Sequence, residues 1–423
     1  MPNWENIPRI LVMTSNRPLQ GIRIIDLSMG WAGPLAARNL ADLGADVIKV
    51  ESCENFDWWR SWEATQEWID EDGAEKSPAF NSVNRNNRNI TLDLSDPKGR
   101  ELLLRLVRTA NAVMENFSGS VLPKLNLSYD VFKKEKDDII LLSMHAFGST
   151  GPWKMFRAYG STVEQSSGLP HVNGMSSDPP MMHHIAYGDA VAGLNGVSAL
   201  LVALRHQAKT GKGQFIDLSQ VESLLPLAAH GITEFTANGK EPERNGNKSK
   251  FFAPNGVYPC EGEDKWIVIQ VLNEDQWLSF QKLVGAPLKD FGNLKDRLSR
   301  LEDLDKTISE WTSSKESQRL MYVLQEAKIP AASTHTMPTL LNDPHLNSRN
   351  FWQWLDRAVV GNQPNPSAPF RVNGNRLPIN TPAPTLGQHN QEVLTEILEL
   401  NQTEIDELEE IGIIGTKPKM PSS

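Results

Sequence analysis

The residues with the clearest chemical potential stand together at positions 187–196, Tyr-Gly-Asp-Ala-Val-Ala-Gly-Leu-Asn-Gly. Asp189 is the reactive one. A carboxylate is ionised at neutral pH, because its reference pKa is about 3.9. It needs no partner base to act as a nucleophile, only a pocket that presents an activated acyl carbon. The other reading of Asp189 is structural. It stands in the first turn of a helix, where unpaired N–H groups and the positive end of the helix dipole stabilise a negative charge. A cap and a nucleophile both fit this spacing, so the context must decide between them.

The helix is read from Val191, Leu194, Val197, Leu201 and Leu204, which recur at three- and four-residue steps as one buried face requires. Lys209, Thr210 and Gly211 close it with a cation and a glycine stop. Gly193 and Gly196 lie inside it, where alanine would be better by about 1 kcal/mol each. Glycine in such a place fits close approach by a backbone or a ligand.

Stepping outward, 423 residues make two domains or one large domain with an insertion. Hydrophobic content of 39% and charged content of 22% are ordinary for a soluble globular enzyme. The net charge of −10 disfavours nucleic acid as a partner, since phosphate neutralisation needs a basic surface. Cys53 and Cys260 are the only cysteines, far apart and in no metal-ligand spacing. That is the usage of a reducing compartment, and both read as small core residues. No apolar run approaches the roughly 18 residues of a membrane span. The first 17 residues lack a signal-peptide pattern. The expectation is a cytoplasmic protein without a membrane partner. His183-His184 is the one pair that invites a metal. Adjacent residues face different ways and no further ligand lies at metal spacing, so no metal site is expected.

An irregular arm runs to about Pro18. Residues 22–27 form a strand, 28–34 a turn, 35–43 a helix that Gly44 ends, and 46–50 a second strand. This is a βαβ unit with a parallel pair. Gly30, Gly33 and Glu51 make a partial dinucleotide fingerprint, but Ser28 stands where the first glycine belongs, which argues against a nicotinamide cofactor. Trp58, Trp59, Trp62 and Trp68 are either a surface segment that packs its rings inward or an aromatic lid. Asp96-Pro97 opens a helix with Leu102, Leu103, Leu106 and Val107 on one face. Residues 112–114 read as the third strand, 139–143 as the fourth and 214–218 as another, in the alternation of a doubly wound sheet. Ser219 and Glu222 have capping-box spacing.

The expected division is a large N-terminal part over 1–236, a linker over 237–251, a small domain over 252–350, and a return over 351–423. The return holds six prolines between 363 and 385 and an acidic amphipathic helix pair over 390–414.

The order of motifs resembles the family III coenzyme A transferases, a group with formyl-CoA:oxalate and carnitine CoA-transferases, whose fold α-methylacyl-CoA racemases share. The resemblance spans residue 19 to about 414. It rests on Gly-Ile-Arg-Ile-Ile-Asp-Leu-Ser at 21–28, Ala32-Gly33-Pro34, Leu-Gly-Ala-Asp-Val-Ile-Lys-Val-Glu at 43–51, Leu92-Asp93-Leu94 with Asp96-Pro97 and Gly99, Glu115-Asn116-Phe117, Phe147-Gly148 with Gly151-Pro152, and Gly188-Asp189.

The resemblance implies an α/β fold: a Rossmann-like large domain built from both chain ends, a smaller α+β middle domain, and two chains interlocked as a homodimer. It implies Asp189 as the nucleophile, forming a mixed anhydride and then an aspartyl-CoA thioester. No tightly bound cofactor is implied; the coenzyme A thioester is a substrate, and a carboxylic acid is the acceptor. By motif position, CoA and substrate contacts fall on Trp31, Ala32, Asn84, Arg85, Asn86, Asn87, Asn116, Phe117, Ser118, Lys124, Arg157, Ala158, Tyr159 and Gly160. Lys124 and Arg157 have the charge for phosphates. Ser52 stands where an Arg often faces the adenosine, Asn87 where Lys is frequent, and Trp31 is bulkier than the usual residue beside the thioester. The glycine-rich loop of the oxalate enzymes is not evident, so oxalate is not the expected acceptor.

Two other functions share the scaffold. A racemase would carry a His-Asp step after the Gly-Pro turn; here Tyr159-Gly160 stands there, and a phenol with a reference pKa of about 10 is a poor base. His145 lies too early in the chain to match that step. A non-catalytic subunit of a heteromeric transferase is the third reading, and retention of Asp189 argues against it.

Overall fold

Six parallel strands carry the larger unit of the computed structural model, which describes residues 17–182 and 185–420. Most of the N-terminal arm and the His183-His184 pair lie outside the described residues. The strands are β1 Arg23–Asp26, β2 Asp46–Glu51, β3 Arg88–Thr91, β4 Ala112–Glu115, β5 Ile140–His145 and β6 Phe215–Ser219. Their order is β3-β2-β1-β4-β5-β6, with every neighbouring pair parallel. Strand order reverses between β1 and β4, which opens a crevice at the carboxyl edge where such folds bind ligands.

Alternation along the strands feeds two cores. Ile25, Val113 and Leu141 face the helix α2 (Pro97–Thr109), together with Val393, Leu394 and Leu408 of the C-terminal helices Asn390–Glu396 and Gln402–Glu410. Ile24, Val47, Met114 and Leu142 face the other way, onto α1 (Ala32–Asp42) and α4 (Tyr187–Thr210). Both chain ends therefore build one sheet domain. Two further helices bear on the site, α3 (Gly160–Ser166) and α5 (Gln220–Asn238).

The smaller unit takes residues 170–181 and 234–348. Its antiparallel sheet has the order β7 (Asn255–Pro259), β8 (Trp266–Gln270), β9 (Ala331–Ser333). Trp277, Phe280, Leu304, Ile308 and Leu320 from three helices pack with Ile267 and Ile269 of β8.

Several elements differ from expectation. Strand β3 was not foreseen, because its first two residues are polar. Arg88 pairs with Asp46 at 2.6 Å and Asn89 donates to Glu51, so these side chains are satisfied at a sheet edge that shows no apolar alternation. Helix α1 starts three residues earlier than expected, at Ala32. The Ser219–Glu222 capping box does not form: Ser219 Oγ is buried without a hydrogen-bond partner, and the Val221 N–H donates to the Ala146 carbonyl.

The buried face of α4 is the expected one only in part. Leu204 is buried and Val197 and Leu201 pack against the core as expected, but Leu194 is 56% exposed, and Gly188, Ala192, Gly193, Gly196, Leu200 and Ala203 make up most of the buried face. The small residues win because α1 comes too close for large ones. A β-carbon on Gly193 would lie 2.7 Å from the Ala32 carbonyl oxygen. This helix is also long and apolar enough by length and composition to cross a membrane, contrary to the expectation of no such run; its small-residue face belongs to the core.

Candidate active site

Three helix N-termini converge on the Asp189 carboxylate. Asp189 is the third residue of α4, and its own N–H donates to Ala186. Ala186, not Asp189, holds the cap position. The carboxylate accepts hydrogen bonds from the main-chain N–H of Ala32, the first residue of α1, and of Gly160, the first residue of α3. Those donors have no partner within their own helices, so a carboxylate satisfies them well. The fit is tight, for a β-carbon on Gly160 would stand 1.9 Å from Asp189 Oδ2.

The turn that aims Ala32 is pinned on every side. Asn116 accepts from the Met29 N–H at 2.9 Å and donates to its carbonyl at 2.8 Å. The buried Lys49 ammonium donates to the Ser28 carbonyl at 2.6 Å. Gly30, at φ +76°, donates to Asp57 at 2.8 Å and leaves room for the Trp58 ring, which a β-carbon there would meet at 2.1 Å.

Asp189 borders a cavity of about 540 Å³. Burial pushes its carboxyl up to about 6, and the hydrogen bonds from Gly160 and Ala32 pull it down only in part. Among the described residues no cation pairs with it. Trp58, Phe117, Phe147, Phe156 and Tyr159 give the cavity aromatic walls, while Lys154 and Arg157 are exposed cations on it. Trp58, Trp62 and Tyr159 form a ring cluster with centroids 4.4–5.6 Å apart. Trp58 thus serves as cavity wall, whereas Trp68 stacks on Phe56 away from it.

A second cavity, of about 360 Å³, lies at the carboxyl edge of β2 and β3. Leu27, Val50, Leu92, Leu94 and Val121 make it apolar, and Ser52 and Lys124 add polar groups. Met29 and Phe117 border both cavities. The carboxylate without a cation in one and the apolar slot in the other fit a long ligand with a reactive carbonyl at one end.

A family model described as CoA-transferase family III matches residues 19–390. The chain belongs to CoA-transferase family III. A succinate–glutarate CoA-transferase of Agrobacterium fabrum is 31% identical over 91% of this chain and 97% of its own length. The human succinyl-CoA:glutarate CoA-transferase is 28% identical over 95% of this chain and 91% of its own. The crystal structure of a CAIB/BAIF family protein from Brucella suis superposes with a TM-score of 0.82 at 31% identity, covering 90% of this chain and all of that one. CoA transfer is the general chemistry that such membership carries.

Within this family III chain, the residues singled out from sequence divide into four groups. Asp189, Asn116, Phe117, Ser118, Arg157, Ala158 and Tyr159 line the first cavity, and Ala32 and Gly160 supply the two N–H groups bonded to the Asp189 carboxylate. Lys124 lines the second cavity. Trp31 is the cap residue of α1 and packs on Trp59 at 5.5 Å.

Asn84, Arg85, Asn86 and Asn87 line neither cavity. Arg85 is spent on Asp42 at 2.7 Å and on the Pro366 carbonyl, and Asn86 on Asp42 and the 380–381 backbone. Arg85 and Asn86 thus tie the C-terminal return to α1, whereas both amide atoms of the buried Asn87 have no hydrogen-bond partner among the described residues. His145, Lys154 and Gln220 are cavity residues that the sequence reading did not place there. His145 ends β5, and its position at the carboxyl edge of a parallel strand was the available signal.

Proposed function

We propose that this chain moves coenzyme A from an acyl-CoA to a carboxylic acid through covalent intermediates on Asp189. One observation carries this: a carboxylate held by two main-chain N–H groups, with no cation among the described residues, borders a cavity large enough for a substrate. A carboxylate Oδ attacks the thioester carbon, the C–S bond breaks, and the CoA thiolate leaves behind a mixed anhydride. The thiolate then attacks the aspartyl carbonyl; the donor acid departs as its carboxylate and an aspartyl-CoA thioester remains. The acceptor carboxylate runs the two steps in reverse, and Asp189 returns to its carboxylate. No proton is gained or lost overall.

The N–H groups of Ala32 and Gly160 stand beside the oxygen that gains charge in the tetrahedral steps at the aspartyl carbonyl. Water would hydrolyse both intermediates, so transfer needs the bound substrates to fill the aromatic-walled cavity. The thioester end of CoA lies near Asp189, the chain passes Met29 and Phe117, and the apolar cavity takes the adenosine end, with Lys124 and Arg157 for the phosphates. The relatives' names pair succinate or succinyl-CoA with glutarate, so short dicarboxylic acids head the substrate panel.

Leu194 and Val202, exposed on the helix that bears Asp189, support a second chain covering this face, as in the expected homodimer. Light scattering on the purified protein tests it, and a monomer at working concentration refutes it.

The test of the reaction is capture. Protein, acyl-CoAs and hydroxylamine are mixed, and the peptide holding Asp189 is weighed. A hydroxamate on Asp189 supports transfer. An unmodified peptide, with deuterium entering a 2-methylacyl-CoA from heavy water, turns the reading to a racemase.

A further inference from the structure

Helix α1 begins without a side-chain cap: its cap residue, Trp31, accepts no hydrogen bond through its side chain. The first N–H groups of such a helix have no partner inside it. The first of them, on Ala32, is one of the two that Asp189 accepts. The entry to α1 is set by the turn before it, residues 28–31.

Four side chains grip that turn. Asp26 accepts from the Ser28 N–H at 2.9 Å, Lys49 donates to the Ser28 carbonyl at 2.6 Å, and Asp57 accepts from the Gly30 N–H at 2.8 Å. These three form one buried ion cluster, so a change in any of them leaves a buried charge unbalanced. The fourth, Asn116, is neutral. It follows directly on β4 and lines the Asp189 cavity. Its Oδ1 accepts from the Met29 N–H at 2.9 Å, and its Nδ2 donates to the Met29 carbonyl at 2.8 Å. A side-chain amide carries an acceptor and a donor side by side. The two bonds therefore fix both the position of Met29 and the tilt of its backbone. Asn116 Cγ also lies 3.5 Å from the point where a β-carbon on Gly33 would stand, so the amide rests against the first turn of α1. The resemblance implies that Asn116 touches CoA, yet Met29 already engages both polar atoms of its amide.

We propose that Asn116 is a positioning residue, whose amide clamps Met29 and thereby fixes the Ala32 N–H that orients Asp189 for attack. The proposal rests on the covalent reading above. Without the clamp the turn is free to shift, and a displacement of about 1 Å at the reacting atoms costs on the order of 10²-fold in rate. The loss carries a signature that a packing role lacks. The Ala32 N–H favours the ionised form of Asp189, so weakening that bond raises the carboxyl further.

The experiment compares the full-length wild type with Asn116→Ala and Asn116→Leu. Both variants remove the two hydrogen bonds, and the second keeps the bulk of the side chain. The probes are succinyl-CoA and glutarate, or the first pair in the panel that the wild type turns over. The kcat is expected to fall about 10²-fold, with the KM for the acyl-CoA nearly unchanged. The acid limb of kcat/KM is expected to move up from about 6. An acid limb that stays in place overturns the proposal: with a raised KM for the acyl-CoA, Asn116 is a CoA contact, and with only a lowered melting temperature it is a packing residue. An unchanged kcat in a folded variant overturns it too. If neither variant folds, Asn116 holds the fold rather than the nucleophile, and the proposal fails. Hydroxylamine capture at Asp189 of the wild type reads the transfer chemistry separately. Capture there, with variants whose acid limb or kcat is unmoved, sinks this inference alone. Absence of capture from every donor sinks the transfer reading and this inference with it.

Discussion

The carboxylates at the end of β2 and the carboxylate at the start of α4 are handled in opposite ways. Glu51 is gripped by Arg60 at 3.0 Å, and Asp57 by Lys49 at 2.9 Å, with all four side chains fully buried. Asp189 has only N–H dipoles. Burial pushes Glu51 up, but Arg60 and Lys49 more than reverse it, and its carboxyl ends below the ordinary value. Asp189, without a cation, ends near 6. The first arrangement stabilises the fold and is chemically inert. The second costs stability and leaves the oxygen lone pairs available. A cation beside Asp189 would lower its energy and its nucleophilicity together, so the fold orients this carboxylate without neutralising it.

The comparison breaks most visibly at Asp189 itself. Asp189→Asn is expected to lower CoA transfer by about 10⁴-fold or more, the scale on which loss of a covalent nucleophile is felt. Stability should move the other way. The folded pKa is raised, so the ionised side chain opposes folding increasingly as pH climbs from 3.8 through about 6, and fully above that. Thermal denaturation at mildly alkaline pH should show the Asn variant at least as stable as the wild type. A large drop in melting temperature would mean that Asp189 is a structural cap.

Lys49→Met should give the reverse pattern. It leaves Asp57 and Asp26 buried without their cation, a loss of about 3–5 kcal/mol. Urea unfolding measures it, and the folded fraction should keep Asp189 open to acylation. Gly160→Ala comes next. Its β-carbon claims the space of Asp189 Oδ2, and a displacement of about 1 Å costs on the order of 10² in kcat. Steady-state kinetics with an unchanged unfolding midpoint would sharpen the contrast between holding a carboxylate and burying one. The smallest effect is the pH profile. Since only the ionised carboxylate attacks, kcat/KM should fall on the acid side with a midpoint near 6. A midpoint near the ordinary carboxylate value would mean that the cavity hydrates Asp189 more than its burial implies.

Much of this was legible in the residue order. The βαβ start, the strand at 112–114 and the glycine-bearing helix after Asp189 follow from period and punctuation, and the structure has all three. What escaped did so for local reasons. Strand β3 hides because Arg88 and Asn89 satisfy their polar groups on β2 side chains across the edge. The buried face of α4 was read only in part, because apolar spacing finds Val197, Leu201 and Leu204 but not the glycines and alanines that helix contact at backbone distance selects. No sequence pattern reveals that Arg85, expected among the CoA and substrate contacts, pairs with Asp42, 43 positions earlier. His145 escaped because its partners Glu115 and Asp217 come from two other strands and meet it only in the folded sheet.

The two N–H donors at Asp189 belong to the main chain, and no side chain of Ala32 or Gly160 takes part in holding it. Asp189 is therefore held by backbone geometry and the cavity wall is formed by side chains. A wall side chain whose exchange leaves both helix starts in place leaves the hydrogen bonds to Asp189 unchanged, so the shape of the cavity can change separately from the way the carboxylate is held.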